Sequence, residues 1–463
     1  MPPYLALFLW FVLLIALLWF DPAKERKMSS AIWVPVIWIF IVGSRLPSQW
    51  LGYESAQAAQ ALEEGNPMDR IISFGLIVLA IGILTSRSFR WADFLAKNTT
   101  LAIFVGFALI SVCWSDYPFV TFKRWIRDLG NYLVILIALS DDHPFEAIRM
   151  VLRRVCYLLI PLSIVLIKYY SYMGIHYSSY TGEKEYVGVG TSKNMLGVVC
   201  LVSGLFFFWD TVTRWSKHIH RRTKQVLLVN AVFMAITLWL LNLSNSATSR
   251  VCLALGCLVI AGVHTAWCRR HPTFLKALIP GAFSIYVILA LAFDINGQLA
   301  PAVGRDPTLH DRTKIWQFLL GMHTNPVIGT GYESFWLGPR LQWFWERSGL
   351  GAINEAHNGY LDVYLTLGLI GVSLLILFLI ASYSTICKRL ASSPALASLG
   401  LAVWTVLVFY NMSEAAFQVG LPWMMLLMTG TATGIQSRNA VRSPAAYGSG
   451  STGEATAVQA WQA

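Results

Sequence analysis

The chain has 463 residues, 56% of them hydrophobic and 13% charged, with a mean hydropathy of +0.57. A soluble domain carries about twice that share of charge, so the composition excludes a soluble enzyme and points to a polytopic membrane protein. The formal net charge of +11 would suggest nucleic acid for a soluble protein. Here the basic residues collect in short connectors, as the positive-inside rule requires, and no nucleic-acid partner is expected.

Apolar runs fall near 4–20, 31–46, 71–86, 99–114, 131–140, 151–169, 195–212, 226–243, 250–267, 277–293, 359–383, 395–411 and 420–436. They are continuous rather than alternating, which predicts helices and not a barrel. The fold class is therefore an all-α polytopic membrane protein with about 12–13 transmembrane helices. Residues 4–20 lack the basic flank and clean cleavage site of a signal peptide and read as a first membrane helix. The seven cysteines (Cys113, Cys156, Cys200, Cys252, Cys257, Cys268, Cys387) lie in or beside apolar runs without a CxxC pair. They read as small core residues, with no disulfide frame and no metal site.

The basic connectors 21–29, 87–97, 141–154, 213–224, 268–276 and 387–390 alternate with the others, so they are assigned to the cytoplasmic side. The organisation expected is an N-terminal membrane bundle over 1–293, a large external loop over 294–356, C-terminal membrane helices over 357–436 and a disordered cytoplasmic tail over 437–463.

The external connectors hold basic residues where such charge is usually avoided. In SDYPFVTFKRWIRDLG, Arg124 and Arg127 are three apart and share one helical face. Snorkelling at the interface explains them as well as an anion clamp does. Lys193 and Asn194 open the seventh run after Ser192, a residue suited to capping a helix. Arg250 enters the ninth run, where a lone arginine must snorkel, pair or bind an anion. Arg312 opens a segment with Ile315, Phe318, Leu319 and Met322 at amphipathic-helix spacing, which Asn325-Pro326 ends.

That loop joins the next membrane helix at Glu355-Ala356-His357-Asn358. A helix starting near Glu355 would align His357, Tyr360, Tyr364 and Gly368 on one face, with Gly368 and Gly371 admitting a neighbouring helix. The positive end of the helix dipole would keep the His357 ring neutral and able to accept a proton. Taken alone, His357 is equally an interfacial histidine bonded to a carbonyl. Gly329-Thr330-Gly331 lacks the strand–turn–helix context of a dinucleotide loop, and no P-loop or zinc spacing occurs. No cofactor is expected, so the energy must come from an activated substrate or an ion gradient.

The run Pro326-Val-Ile-Gly329-Thr-Gly331-Tyr332, followed by Glu355-Ala-His357-Asn358-Gly-Tyr360-Leu361 and Gly368, resembles the O-antigen ligase and polymerase family of bacterial cell envelopes. Ser249-Arg250, Arg312 with Trp316, and Lys193-Asn194-x-Leu196-Gly197 support the resemblance, in the family's order. WSDYPFVTFKRWIRDLG and GVGTSKNMLG look most like its exopolysaccharide branch. The resemblance implies a GT-C-like membrane glycosyltransferase of the inner membrane with its site facing the periplasm. It implies metal-independent, inverting transfer of a glycan from undecaprenyl pyrophosphate, with no cofactor. The acceptor is another lipid-linked repeat unit in a polymerase and lipid A–core in a ligase. Membrane lipid, a chain-length regulator and export proteins are the implied partners.

On this reading His357 is the base and Glu355 its orienting partner. Arg124, Arg127, Arg250 and Arg312 hold the pyrophosphate, while Lys193, Asn194 and Tyr360 line the substrate groove. The competing class, a transporter or flippase, calls for charged residues along a path within the spans, and the apolar runs hold very few.

Overall fold

A computed structural model describes residues 1–19, 21, 28–52, 65–177, 182–215, 221–293, 309–349 and 353–432. The expected tail 437–463 and the first part of the external loop, 294–308, lie outside the described residues. Each apolar run read from the sequence carries a helix among its described residues; 20 and 433–436 lie outside them. In chain order the helices are α1 (Pro3–Trp19), α2 (Trp33–Val42), α3 (Pro47–Trp50), α4 (Pro67–Ser86), α5 (Trp91–Lys97) and α6 (Thr99–Ile110). Then come α7 (Pro118–Leu139), α8 (Pro144–Tyr169), α9 (Ser171–Gly174), α10 (Lys193–Trp215), α11 (Arg221–Leu243) and α12 (Ala247–His264). The last seven are α13 (Ala266–Arg270), α14 (Pro272–Phe293), α15 (Leu309–Leu320), α16 (Gly338–Ser348), α17 (Gly359–Ser392), α18 (Pro394–Tyr410) and α19 (Leu421–Gly430). A small antiparallel hairpin, β1 (Ile175–Tyr177) with β2 (Lys184–Tyr186), pairs Ile175 with Tyr186.

Six of these helices are long and apolar enough to cross a membrane: α4, α8, α10, α11, α12 and α17. A seventh span arises if α5 and the helix from Thr99 to Trp114, bent by 98° from each other, are taken together. The other apolar helices are shorter. At 1.5 Å rise per residue, the ten residues of α19 cover only about 15 Å. α7 is long enough, but Lys123, Arg124, Arg127 and Asp128 occupy its first half, so only its second half is apolar. The chain is a multi-pass membrane protein.

α18 and α19 are apolar all round and almost wholly buried, as a helix at the centre of a bundle must be. α18 packs on α12, α17 and α19, while α10 joins α11 and α12, and α7 packs on α4 and α19. Toward the far end of α10, Asp210 is fully buried and meets Arg153 at 2.7 Å, Arg214 at 3.0 Å and Arg149 at 3.2 Å, with Asn230 donating to it at 2.8 Å. This ties α8, α10 and α11 together.

The feature that positions the site is a break in α17. Gly368 has φ 64 and ψ −166, so the helix hydrogen bonds stop there. The segment 326–331 takes over. Thr330 and Gly331 donate to the carbonyls of Leu365 and Thr366 at 3.1 and 2.9 Å, while Leu369 and Ile370 donate to Pro326 and Val327 at 2.9 and 3.1 Å. Backbone meets backbone so closely that a side chain at Gly329 or Gly368 would strike the opposite carbonyl. The sequence reading gave Gly368 a different neighbour, a packed helix; the partner is a loop.

The amphipathic segment forms α15 and ends at Leu320, before Asn325-Pro326. Ile315 and Leu319 are buried in a satellite core with Phe335, Phe344, Ala356 and Leu365. α16, inside the same loop, was not foreseen; it supplies Phe344.

The backbone of Gly368 lies in a region essentially closed to other residues and costing roughly 1–3 kcal/mol when occupied by them. Gly368→Ala should therefore lower the thermal unfolding midpoint of the detergent-solubilised protein. Gly106→Ala, on α6 with open space around the glycine, should not lower it. Equal midpoints for the two variants would rule out the break as a structural requirement.

Candidate functional site

Asn358 caps α17 by accepting from the N–H groups of Tyr360 and Leu361, both at 3.1 Å. The helix therefore starts at Gly359, and His357 lies outside it with φ 49, in the left-handed region. The expected alignment of His357, Tyr360, Tyr364 and Gly368 on one face does not form. Tyr360 turns into the bundle, where its hydroxyl donates to the Val408 carbonyl at 3.2 Å and its ring meets Phe417 edge-on. Tyr364 packs in the satellite core.

His357 faces two carboxylates. Its Nδ1 lies 2.9 Å from Glu355 and 3.5 Å from Glu414. Burial alone would lower the imidazole pKa, but contact with Glu355 and then Glu414 raises it to about 10. The expectation of a neutral ring is corrected: two nearby carboxylates outweigh the helix dipole, whose first turn His357 does not enter. At neutral pH the ring carries its proton.

Glu414 was missed by the sequence reading. It sits in the short turn between α18 and α19 and is only 4% exposed. Burial raises its pKa, but His357 and Arg312 more than reverse this and hold it below the usual carboxylate range. It pairs with Arg312 at 2.7 Å and accepts from the Asn194 amide at 3.2 Å. One buried carboxylate thus brings together His357, Arg312 and Asn194, which come from three separate segments. Its turn is docked on the start of α17, since the Gly359 N–H is received by the carbonyls of Asn411 and Glu414 at 2.9 and 3.0 Å.

A second cluster lies on α7. Arg127 meets Asp128 at 2.9 Å and Glu333 at 3.1 Å. Arg124 donates to the Glu333 carbonyl at 2.6 Å. Glu333 follows the Gly329–Tyr332 turn and has φ 52. Tyr332 fixes the turn by donating to buried Asp128 at 2.9 Å. Arg124, Arg127 and Glu333 line a pocket of about 320 Å³, together with Trp336, Glu355 and Asp362. Cationic and acidic side chains therefore share one concave site.

His357, Arg312, Lys193, Asn194, Arg250 and Tyr360 are not among the residues that line that pocket. Lys193 pairs with Glu185 of the hairpin at 2.7 Å. Ser192 caps α10 as expected, accepting from the Met195 N–H at 3.2 Å. Arg250 takes the Asn245 side chain at the start of α12. Thr248, two residues before it, meets Ser413 at 3.1 Å, so this helix end abuts the Glu414 turn. Of the loop tryptophans, Trp336 lines the pocket, Trp345 donates to the Ile353 carbonyl at 2.7 Å, and Trp343 is exposed.

Glu355, His357 and Glu414 also offer one ligand atom each within 4.8 Å of one another, a spacing that could hold a metal ion. Arg312 already occupies one oxygen of Glu414, and His357 would first have to release its proton. The donor set fits an ion-pair network better than a cation site.

Residues 230–376 match a family model described as O-Antigen ligase. That span contains Arg250, Arg312, Glu355, His357 and Asp362, but neither the α7 arginines nor Glu414. The chain is 27% identical over 301 residues to "Exopolysaccharide production protein ExoQ" of Rhizobium meliloti (strain 1021). The match takes in 62% of this chain and 65% of the relative, so it spans less than two thirds of that protein's length.

The protonated state of His357 can be read by acylation with diethyl pyrocarbonate, which attacks only neutral imidazole. With the pKa raised to about 10, modification of His357 should be slow at pH 7 and quicken as pH rises toward 10. Glu414→Gln and Glu355→Gln each remove a negative charge that favours the proton, so both should shift this rise to lower pH. An unchanged profile in both variants would contradict the carboxylate cause.

Proposed function

We propose that this member of the O-antigen ligase/polymerase family, in its exopolysaccharide branch, is an inner-membrane polymerase joining lipid-linked glycan units at the periplasmic face. The supporting observation is the pocket that sets Arg124 and Arg127 beside Glu355 and Asp362, next to His357. A polyprenyl pyrophosphate donor needs cations where its leaving group gathers charge. A hydroxyl acceptor needs a group to take its proton. The pocket supplies the cations, His357 stands behind its lining residue Glu355 as the proton acceptor, and the relative's name, exopolysaccharide production, fits the product.

In the proposed reaction the acceptor hydroxyl oxygen of one lipid-linked unit attacks the anomeric carbon of another. The new C–O bond forms as the bond from that carbon to the pyrophosphate breaks, with inversion. Undecaprenyl pyrophosphate leaves with the electron pair. Arg124 and Arg127 receive its phosphates, displacing Glu333, and planar guanidinium forks suit that role better than ammonium groups. The hydroxyl proton goes to His357 in its neutral form. Glu355 and Glu414 stabilise the imidazolium produced, which makes the neutral ring a strong base and also a scarce one below pH 10. Arg312, fixed by Glu414, contributes positive field near the same ring.

His357→Ala should fold and insert normally yet abolish chain extension with purified protein and defined lipid-linked oligosaccharide. A positioned base contributes typically about 10²–10⁴-fold, and polymer of wild-type length from this variant would end the reading. In the wild type the rate should climb with pH from 7 toward 10 as His357 loses its proton. A rate independent of pH over that range would move the proton to a carboxylate instead. In cells carrying the variant, single lipid-linked repeats should accumulate. Accumulated full-length lipid-linked polymer would favour a ligase with a lipid A–core acceptor, and glycan flipping without bond formation would favour a flippase.

A further inference from the structure

We infer that Asp362 and Trp316 are positioning residues that hold His357 in its left-handed backbone conformation by clamping Ala356. This rests on the reading of His357 as the proposed base. A histidine at φ 49 persists only if its surroundings over-determine it. The residue before it shows how. Ala356 is wholly buried, and both of its backbone polar groups are held by side chains from other elements. Its N–H donates to the two carboxylate oxygens of Asp362 at 3.1 and 3.2 Å. Its carbonyl accepts from the Trp316 indole at 2.8 Å. The residue is thus fixed from α17 on its N-terminal side and from α15 on the side that joins His357.

Asp362 is itself held. It lies in the first turn of α17, where a carboxylate is favoured by the helix dipole, and its own N–H donates to the Asn358 carbonyl at 3.0 Å. One oxygen also accepts from the Trp336 indole at 3.0 Å. Asp362 and Trp336 both line the pocket, so the clamp on Ala356 and the pocket wall are one hydrogen-bonded unit. α15 is anchored by Ile315 and Leu319 in the satellite core, which makes the Trp316 side of the clamp rigid too. Loss of either bond loosens Ala356, the residue preceding His357, and a displacement of about 1 Å at a reacting group can cost about 10²-fold.

Asp362→Ala should lower kcat by about 10–100-fold while KM for the lipid-linked donor stays within about twofold. Asp362→Asn keeps an acceptor oxygen for the Ala356 N–H and should recover most of that loss. Trp316→Phe should lower kcat in the same way. The double variant Asp362→Ala/Trp316→Phe should lose less than the product of the single losses, because both act on one residue, Ala356. His357→Ala is assayed in parallel. If it retains the wild-type rate, the reading of the base fails and the clamp's role with it. If it is inactive while Asp362→Ala keeps wild-type kcat, only the positioning inference falls. Multiplicative losses that follow lowered unfolding midpoints, with no recovery in Asp362→Asn, would also overturn it.

Discussion

The structure depends on a backbone exchange between the segment 326–331 and the broken helix α17. A helix interrupted inside a membrane protein leaves amides and carbonyls that neither lipid nor apolar side chains can satisfy. Here a loop satisfies them, in both directions across the break at Gly368. Only glycine permits it: Gly368 supplies the backbone angles, and Gly329 the close approach. The loop that follows is thereby locked to the bundle. Tyr332 reaches Asp128 and Glu333 reaches Arg127 because the preceding residues have no freedom left. One helix defect therefore places the cationic half of the pocket beside the acidic half carried by the start of the same helix.

Charge pairing governs what that pocket can do. The candidate cations have carboxylate or carbonyl partners: Arg124 and Arg127 share Glu333, Arg312 has Glu414, and His357 has two carboxylates. Burying a charge alone would cost several kcal/mol, and here the protein's own acids and carbonyls meet each of these cations. The same pairing has a kinetic meaning. In the proposed reaction a phosphate would compete with Glu333 for the α7 arginines, and a proton would leave His357 against the pull of two negative charges.

Much of this was legible in the sequence, and the remainder failed for identifiable physical reasons. Continuous apolar runs located the helices, because span length and hydrophobicity are local properties. The joint at Glu355–Asn358 was visible as a polar interruption at a helix entrance, and Arg124 and Arg127 as charge in an external connector. Glu414 was not, since a lone acid in a short turn between apolar runs carries no periodicity and its partners are 57 or more residues away in sequence. The neutral His357 followed from an assumed helix start at Glu355. The Asn358 cap moves that start to Gly359 and leaves the histidine to its carboxylates. Tyr360 and Tyr364 were aligned by the same assumption, and they separate into two different cores.

The division of the pocket also explains how such a site can vary. The acidic side, from Glu355 to Asp362, lies within the stretch that matches the O-antigen ligase family. The cationic side comes from α7, and the buried hub Glu414 from the turn before α19, both outside that stretch. α7 shares the main apolar core with α17 and adds the Arg127–Glu333 ion pair, while the 411–418 turn meets the start of α17 through the Gly359 N–H and the Phe417–Tyr360 ring contact and adds the Glu414 ion pairs. Ion pairs between separate elements can be rebuilt with other residues without repacking the helices they join. Substitutions of Arg124, Arg127 or Glu414 would then alter the charge around the pocket, and how strongly His357 keeps its proton, while the broken helix and the clamped Ala356 stay as they are.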